Sequence, residues 1–387
     1  MRVAIAIERF DPLTSGIERS THQIARHLIA RGHHITVLCG EAPPDLTLDG
    51  GEIVCGHAVN FRHRVSVPAF ARWAPKAMAQ QRADVTLSMT MACPAMVVQP
   101  RGGVIAERLE RELAARGGVP TLRQRAAQWL NLPRQAGLRR ERATAANPMV
   151  KRFVAISEYV AQQMQKHHAV AANRITLIPN GAELPLLDVH ARADARRRVR
   201  QAFKVADDSK ALLFVAQHSG RLKGIEPLLR ATKKLVNQGK NVTLLLAGHI
   251  TYPQQMLAAK LAIRDRIRMV GPTNEIAQLL AATDLTVMPS YFDPSSKIVI
   301  ESLIMGVPVV TSRFNGACDF MIAEDGRQRG GIVENPADVD EVAAAMDAML
   351  DPAERARSVA AMAGLDAQLS MTRHVDALEN LLLQMKA

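Results

Sequence analysis

The sequence predicts an α/β protein with two domains, each built around a parallel sheet. Three observations support this prediction. The chain of 387 residues is longer than one ordinary hydrophobic core supports. Short apolar runs alternate with amphipathic segments of helical length in both halves. The alternation pauses after the turn Pro179-Asn180-Gly181 and restarts near residue 211, which places a linker at about 180–190.

The first half opens with a strand of the buried type over 3–7, followed by a helix over about 17–31. Ser15 and Glu18 form a capping-box pattern at the start of this helix, and Gly32 ends it. The strand that follows over 35–39 completes a strand–helix–strand unit, which predicts parallel pairing. Further strands are predicted over 85–89, 96–99, 153–156 and 175–178, with a mostly helical stretch over 106–149.

The second half repeats the alternation. Strands are predicted over 212–216, 242–247, 267–270, 285–288, 307–311 and 331–333. Helices are predicted between them over about 225–237, 252–263, 274–282, 294–305 and 339–350. Ligands of such sheets bind at the carboxyl ends of the strands, so the loops after the strands are the places to search for chemistry.

The charge of the chain is uneven. The net charge is +12, and residues 101–153 hold 12 Lys/Arg against 4 Asp/Glu, which is +8 within one segment. Such a segment suits an anionic membrane surface, phosphorylated ligands or nucleic acid, or it is simply a solubilising surface. Trp129 is the only large aromatic residue of the segment before Phe153, so a stacking platform for single-stranded nucleic acid is not expected.

Cysteine use and hydropathy bear on the cellular location. The four cysteines fit neither a disulfide framework nor a zinc site, which favours a reduced, cytoplasmic location. The opening Met1–Glu8 does not have the pattern of a signal peptide. No run approaches the roughly 18 apolar residues of a membrane span, so any membrane contact is expected to be peripheral, on the inner face.

The loop after the strand over 285–288 carries the strongest functional pattern. Asp293 is a good N-cap and Pro294 suits the first helical position, which predicts a helix from Pro294 to Met305. The amides of its first turn, at Ser295, Ser296 and Lys297, would form an anion site suited to a diphosphate. Glu301 follows Asp293 by eight residues, about 12 Å along a continuous helix, and a capped helix with one half-buried Glu is the alternative interpretation.

Two other loops could approach the same phosphates. The segment 217–224 follows the strand over 212–216 and ends in Arg221, Lys223 and Gly224, whose cations could neutralise a leaving diphosphate. A flexible basic turn is the alternative there. In the first half, Gly16 begins a helix after Thr14 and Ser15, but it is not part of a G-x-G-x-x-G dinucleotide fingerprint.

Taken together, these residues resemble the family 4 glycosyltransferases over nearly the whole chain. The most specific match is Asp293 to Glu301 followed by Met305-Gly306-Val307-Pro308, which resembles the acidic-x7-Glu signature of the family. Supporting matches are Gly16, Glu18, Arg31-Gly32-His33, Phe153–Ser157, Ile178–Gly181 and Lys223-Gly224. Among family members the chain resembles, distantly, the lipopolysaccharide core glucosyltransferases.

The resemblance implies a GT-B fold, with two facing Rossmann-like domains, parallel sheets and an interdomain cleft. It implies an acceptor-side domain over 1–185, a donor-binding domain over 186–370 and a C-terminal helix over 371–387 that crosses back to the first domain. It further implies retaining transfer without metal or cofactor, from a UDP- or GDP-sugar to a glycan or lipid-linked acceptor. Lipopolysaccharide or another envelope glycan fits this acceptor class.

Site residues are carried over from the family by position. Glu301 would hold the ribose, Asp293 would contact the donor sugar, and Lys223 with the amides near Ser296, Lys297 and Ile298 would hold the diphosphate. Gly16 would approach the phosphates. Thr273 and Asn274 lie in the loop that would cradle the base.

Three positions depart from the family pattern. The first acidic residue is Asp293 where the family usually has Glu. Gln217 stands near the usual phosphate arginine, so Arg221 would replace it. The lipopolysaccharide enzymes have an acidic residue after the fourth strand, where this chain has Gln99-Pro100-Arg101. Arg101 would either meet an anionic acceptor or hold its loop by hydrogen bonds.

Other classes of function remain open on the sequence. A GT-B-fold epimerase would need acid–base carboxylates, in which the first half is poor, and a phosphorylase would need a pyridoxal phosphate lysine motif. A non-catalytic protein that binds nucleotide sugars or nucleic acid would use the basic segment instead, and salt-dependent binding to duplex or RNA would reveal it. The glycosyltransferase interpretation expects no nucleic-acid partner.

Overall fold

The computed structural model describes residues 1–56, 66–117, 121, 130–216 and 220–386. It divides into two compact units. The first comprises Met1–Glu110, Val119–Gly181 and Met371–Ala387. The second comprises Arg111–Gly118 and Ala182–Ser370. The C-terminal helix therefore belongs to the first unit, although it follows the whole of the second in the chain.

The first unit is built on a seven-stranded sheet in the order β3-β2-β1-β4-β5-β6-β7, and every described pairing is parallel. The strands are β1 Arg2–Arg9, β2 His34–Glu41, β3 Glu52–Cys55, β4 Val85–Ser88, β5 Val97–Val98, β6 Arg152–Ala155 and β7 Ile175–Leu177. Its helices are α1 Gly16–Ala30, α2 Val67–Gln80, α3 Ile105–Ala114, α4 Leu132–Ala146 and α5 Glu158–His168.

The second unit is built on a six-stranded parallel sheet in the order β10-β9-β8-β11-β12-β13. The strands are β8 Lys210–Ala216, β9 Val242–Gly248, β10 Ile267–Gly271, β11 Leu285–Met288, β12 Val309–Ser312 and β13 Gly330–Val333. The helices are α6 Val189–Ala202, α7 Ile225–Asn237, α8 Tyr252–Lys260, α9 Ile276–Ala282, α10 Lys297–Ile304, α11 Val339–Leu350, α12 Pro352–Ala360 and α13 Leu365–Gln368. The last helix of the chain is α14 Met371–Lys386.

The central strands are buried on both faces. Along β1, Val3, Ile5 and Ile7 face a core that contains residues of α1 and α14. Ala4 and Ala6 face the opposite core, which contains residues of α2. A strand covered on both sides by helices reads as a continuous apolar run, which is why 3–7 was recognisable from sequence.

The predicted α/β class with two parallel sheets is confirmed, and the main errors concern short or atypical elements. The sequence prediction missed β3, which has four residues, and α2, which contains Pro75. It also placed a linker where α6 begins at Val189. The brevity of β3, the internal Pro75 of α2 and the low apolar content of α6 each obscure the sequence pattern.

Both sheets have the same switch in strand order. The first strand of each unit lies inside its sheet: β1 pairs with β2 and β4, and β8 pairs with β9 and β11. Connections therefore leave the two central strands in opposite directions, which opens a crevice at their carboxyl ends. This topology identifies two places for a ligand, one after β1 and β4 and one after β8 and β11.

Candidate functional site

The switch point of the second sheet carries a cation–carboxylate pair. Lys223 follows β8 and Asp293 follows β11, and Lys223 Nζ donates to Asp293 Oδ2 across 2.6 Å. The lysine side chain is 25% exposed and the aspartate side chain 9%. Two residues predicted from separate loops are thus brought into direct contact at the carboxyl edge of the sheet.

Close backbone packing holds these two loops together. Leu222 O accepts a hydrogen bond from Tyr291 N at 2.7 Å. Gly224 caps α7 with a φ of 82°, and a Cβ at this position would lie 2.0 Å from Pro289 O. Only glycine tolerates both the left-handed backbone and this approach, so the Lys223-Gly224 pattern has a structural reason.

Arg221 lies at the outer side of the same loop. Its Nε is 3.5 Å from Glu226 Oε1, and its side chain is 56% exposed. It is therefore free to turn towards a ligand at little cost, since an exposed ion pair contributes little to stability. Gln217, to which the family comparison pointed, lies outside the described residues.

The helix after β11 begins later than the sequence predicted. The prediction that Asp293 is its N-cap and Pro294 its first residue is wrong, because α10 begins at Lys297 with Ser296 as N-cap. The backbone of Asp293 instead pairs with another segment: its N–H donates to Phe314 O and its carbonyl accepts from Gly316 N, each at 2.9 Å. This bridge holds Asp293 in extended backbone, so the estimate of 12 Å to Glu301 along a continuous helix does not apply.

The amides ahead of this helix are mostly used within the protein. Ser295 N donates to Asp293 Oδ1, and Ser296 N donates to Asn315 Oδ1, each at 3.2 Å. The first turn of α10 still leaves the amides of Ile298 and Val299 without an acceptor inside the helix. The start of the helix, at which the sequence analysis predicts an anion site, is therefore shifted by about one turn from the predicted position.

The remaining donor-side residues lie in the same unit. Glu301 is on α10 and is 3% exposed, and Gly306 follows the helix with a φ of 65°. Thr273 and Asn274 follow β10, where Thr273 Oγ1 accepts from Glu275 N at 3.0 Å. Of these side chains, Lys223 and Asp293 are brought into direct contact from different loops.

In the first unit, Gly16 begins α1 as the family comparison expects. The Ser15 hydroxyl accepts from Glu18 N at 3.4 Å, which is half of the predicted capping box. The Glu18 side chain is buried, and its Oε2 has no hydrogen-bond partner. Burial raises the pKa of this carboxyl to about 7, although the Ser15 bond and Arg9 act in the opposite direction.

Arg101 is enclosed by its own unit. It is 4% exposed and bonds to Gln99 Oε1 at 3.2 Å, to His374 Nε2 at 3.2 Å and to Asn180 Oδ1. Burial lowers the pKa of its guanidinium to about 10. This geometry favours the second sequence alternative, in which Arg101 holds its loop and connects it to α14.

The described residues include two further features, a carboxylate–histidine cluster and a cavity. The cluster is already occupied by a lysine, and the cavity lies away from the carboxyl edges of the sheets. Glu107, Glu110 and His167 are close enough to share an ion, but Lys166 Nζ contacts both carboxylates at 3.0 and 2.9 Å. A cavity of about 410 Å³ lies at the amino ends of β1 and β2, lined by Arg2, His34, Thr36 and Glu52 among others. Ligands of doubly wound sheets bind at the opposite edge.

Sequence reasoning missed three polar residues at the two switch points. Asn315 contacts the Ser296 amide, as described above. Glu8 and Thr90 form a hydrogen bond of 2.5 Å between the end of β1 and the segment after β4. A charged residue that ends an otherwise apolar strand was the available signal for Glu8, whereas Thr90 and Asn315 carry no such signal.

Two Rossmann-like units with parallel sheets of seven and six strands define the architecture of the GT-B glycosyltransferases. Solved structures share it over the whole chain. WaaG, a glycosyltransferase involved in lipopolysaccharide biosynthesis, is similar with a TM-score of 0.78 and 18% identity, over 98% of this chain and 99% of that one. HepE of Anabaena in complex with UDP-glucose is similar with a TM-score of 0.71 and 17% identity, over 99% and 100% of the two chains.

Sequence comparisons agree with this class. The family model described as glycosyltransferase family 4 matches residues 14–184, and the model described as glycosyl transferases group 1 matches residues 209–352. The lipopolysaccharide glucosyltransferase WaaG of Escherichia coli K12 is 23% identical over 83% of both chains. A D-inositol 3-phosphate glycosyltransferase of Mycolicibacterium smegmatis is 30% identical over 59% of this chain and 51% of that one. The chain belongs to the group 1 and family 4 glycosyltransferases.

Proposed function

We propose that this protein is a retaining glycosyltransferase that moves a sugar from a nucleotide-diphosphate donor to a hydroxyl of a glycan or lipid-linked acceptor. The observation that supports this most directly is the Lys223–Asp293 pair at the switch point of the second sheet. It combines a cation for phosphate with a carboxylate for sugar hydroxyls at the edge where such sheets bind ligands.

The second unit is the donor-binding part of this proposal. The Lys223 ammonium has three N–H donors and uses one on Asp293, so it can contact a phosphate without leaving the carboxylate. The amides of Ile298 and Val299 at the start of α10 supply further donors. Glu301 takes the ribose hydroxyls, and the loop with Thr273 and Asn274 takes the base. A UDP-sugar is favoured because HepE, a structural relative, binds UDP-glucose.

The proposed transfer needs no strong protein base. The bond between the anomeric carbon and the diphosphate oxygen breaks, and the acceptor hydroxyl oxygen bonds to that carbon from the same face. The acceptor proton passes to the leaving phosphate oxygen. Lys223, Arg221 and the helix amides stabilise the negative charge on the leaving diphosphate, and we propose that they do so without a metal or cofactor.

The first unit is the acceptor-side part of the proposal. We propose an envelope glycan acceptor, by analogy with WaaG, a glycosyltransferase involved in lipopolysaccharide biosynthesis. No helix in the described part of the chain is long and apolar enough to cross a bilayer. We propose peripheral contact with the inner membrane face and a cytoplasmic location.

The described part of the basic segment has a surface suited to such contact. Leu130 and Leu132 are 68% and 78% exposed at the start of α4, which also presents exposed Arg139 and Arg142. Exposed leucines beside arginines suit the interface of an anionic bilayer. Sedimentation with phosphatidylglycerol vesicles should fall for the Leu132→Ser/Arg139→Ser/Arg142→Ser variant, and equal sedimentation of wild type and variant would contradict the contact.

The donor hypothesis is tested first by binding. A panel of UDP- and GDP-sugars is screened by thermal shift, since a ligand that binds the folded state raises Tm by mass action. Donor hydrolysis and transfer to a truncated lipopolysaccharide are then measured for wild type, Lys223→Ala and Glu301→Gln. Lys260→Ala is the matched control, because Lys260 is an exposed lysine of the same unit.

We expect Lys223→Ala and Glu301→Gln to lose donor-induced stabilisation and turnover, with Lys260→Ala unchanged. Unaltered donor binding and turnover in both site variants would contradict the proposed site. The anomeric configuration of the product is read by NMR, and a product of configuration opposite to the donor would contradict retaining transfer. Binding of a nucleotide sugar without turnover would favour the non-catalytic alternative.

A further inference from the structure

A polar pair also lies at the switch point of the first sheet. It has no role in the proposed donor site. Glu8 is near the end of β1, and Thr90 follows β4, the strand beside it. Thr90 Oγ1 donates to Glu8 Oε1 at 2.5 Å. This pair therefore occupies in the first unit the position that Lys223 and Asp293 occupy in the second: it joins the carboxyl ends of the first strand and of its neighbour across the switch.

The Glu8 carboxyl lies at the edge of a core. Along β1 it continues the face of Ala4 and Ala6, which pack against residues of α2 and the segment after β4. Glu8 as a whole residue is partly exposed, although its carboxyl is largely removed from solvent.

Within the described ranges of the chain, no cation forms an ion pair with this carboxyl. Its neighbour Arg9 forms an ion pair with Glu41, with Nη2 3.4 Å from Oε2. Burial raises the pKa of Glu8 from its ordinary value, against the opposing effect of the Thr90 hydrogen bond. A desolvated carboxyl without a counter-charge lowers the stability of a fold, and such groups are concentrated at functional sites.

We propose that Glu8 binds the acceptor: its carboxylate accepts a hydrogen bond from a hydroxyl of a saccharide bound at the carboxyl edge of the first sheet, with Thr90 fixing its orientation. This inference rests on the proposed function and adds an acceptor-side residue to it. The ligand class is a polyhydroxylated sugar, because a carboxylate with one oxygen already bonded to a hydroxyl recognises a further hydroxyl donor.

The strand order explains why this position is suited to a ligand. The strand order reverses between β1 and β4, and such a reversal opens a crevice at the carboxyl ends of the two strands. Thr90 Oγ1 also accepts from Ala92 N at 3.1 Å. The hydroxyl is therefore held with its proton towards Glu8 Oε1.

The experiment compares Glu8→Gln with wild type in three measurements. Hydrolysis of UDP-glucose without acceptor reports the donor half of the reaction. Transfer from UDP-glucose to a truncated lipopolysaccharide that lacks its outer sugars gives KM and kcat for the acceptor. Tm at pH 8 reports folding. Glu41→Gln is the matched control, because Glu41 ends the neighbouring strand β2 but is paired with Arg9.

We expect Glu8→Gln to raise the acceptor KM about 10-fold or more, with donor hydrolysis unchanged and Tm equal to or above that of wild type. Glu41→Gln should leave hydrolysis and transfer unchanged. Thr90→Val should also raise the acceptor KM, but by less than Glu8→Gln does. In this variant Glu8 is still present and has lost only the hydroxyl that orients it.

Several outcomes would overturn this assignment. Unchanged acceptor KM in Glu8→Gln would do so directly. A Tm several degrees below wild type would show that Glu8 serves folding, and equal loss of hydrolysis and transfer would place its effect on the donor. If wild type hydrolyses UDP-glucose but does not glycosylate the saccharide, the acceptor class is wrong and the assignment fails. Failure of the proposed function can be distinguished from failure of the Glu8 assignment, because wild type would then neither bind nor hydrolyse any nucleotide sugar.

Discussion

Lys223 Nζ lies 2.6 Å from Asp293 Oδ2, although the two residues are 70 positions apart in the chain. One follows β8 and the other follows β11, and these strands are neighbours only because the strand order reverses between them. The pair is therefore a product of topology, and it concentrates a cation and a carboxylate where a ligand of this sheet would bind.

Substitution of Lys223 and substitution of Asp293 should lower the free energy of unfolding by different amounts. Lys223→Met leaves the Asp293 carboxylate, which is 9% exposed, without its cation, and we expect it to cost about 2–4 kcal/mol of unfolding free energy. Asp293→Asn leaves a lysine that is 25% exposed and can reach water, so its cost should be smaller. Urea unfolding of both variants and of the double variant measures the coupling, and a larger cost for Asp293→Asn would contradict this account.

Gly224 should be the least replaceable glycine of the loops that follow β8 and β11. An alanine there needs a φ of 82° and a Cβ about 2.0 Å from Pro289 O, so the two loops would have to separate. We expect Gly224→Ala to cost more than about 3 kcal/mol or to prevent folding. Gly239→Ala is the matched control, because its φ is 80° but nothing lies within 4 Å of the added Cβ.

Urea unfolding followed by circular dichroism compares these two variants. Gly239→Ala carries only the strain of the left-handed backbone, about 1 kcal/mol. Equal destabilisation by the two substitutions would mean that the approach to Pro289 is not the reason for the glycine.

Glu18 should make stability depend on pH. Burial raises the pKa of its carboxyl to about 7, whereas an unfolded glutamate titrates near about 4.3. Between these values the folded protein binds the proton more tightly than the unfolded chain, so the contribution of this group to stability decreases as pH rises and is lowest above pH 7. Glu18→Gln should therefore raise the free energy of unfolding at pH 8 by roughly 1–3 kcal/mol and change it little through this group at pH 4.

Unfolding by urea at the two pH values tests this prediction. Asp45→Asn is the control, because Asp45 is an exposed acid of the same unit, and its effect should be small and similar at both pH values. A Glu18→Gln variant that is less stable than wild type at pH 8 would show that the ionised carboxylate stabilises the fold.

Arg101 should contribute to the attachment of α14. It bonds to Gln99, His374 and Asn180, so it connects the segment after β5, the turn after β7 and the C-terminal helix. We expect Arg101→Met to lower the unfolding free energy by about 2–4 kcal/mol and to make the C-terminal helix more sensitive to proteolysis. Arg72→Met, at an exposed position of α2, is the control. Equal protease sensitivity of the two variants would contradict this connecting role.

The sequence alone was sufficient to predict strands and helices that have a clear local pattern of apolar residues. The apolar runs of the central strands, the helix over Ile225–Asn237 and the helix over Val339–Leu350 were predicted with the bounds found or nearly so. Glycine positions such as Gly32 and Gly306 were readable for the same reason, since both have positive φ at helix ends. Lys223, Asp293 and Glu301 were identified from spacing and from the family resemblance.

The tertiary structure determined helix bounds and side-chain contacts that the spacing of residues along the sequence could not predict. Asp293 and Pro294 have good propensities for a helix start, but the bridge between Asp293 and the segment after β12 delays the helix to Lys297. The contact of Lys223 with Asp293 and that of Glu8 with Thr90 depend on strand order, which no local pattern contains. The sequence thus determined the longer strands and helices with clear apolar periodicity, because periodic burial is encoded residue by residue, but not β3, α2 or the start of α6. The fold determined which polar groups meet, because long-range pairing brings distant loops to one edge of each sheet.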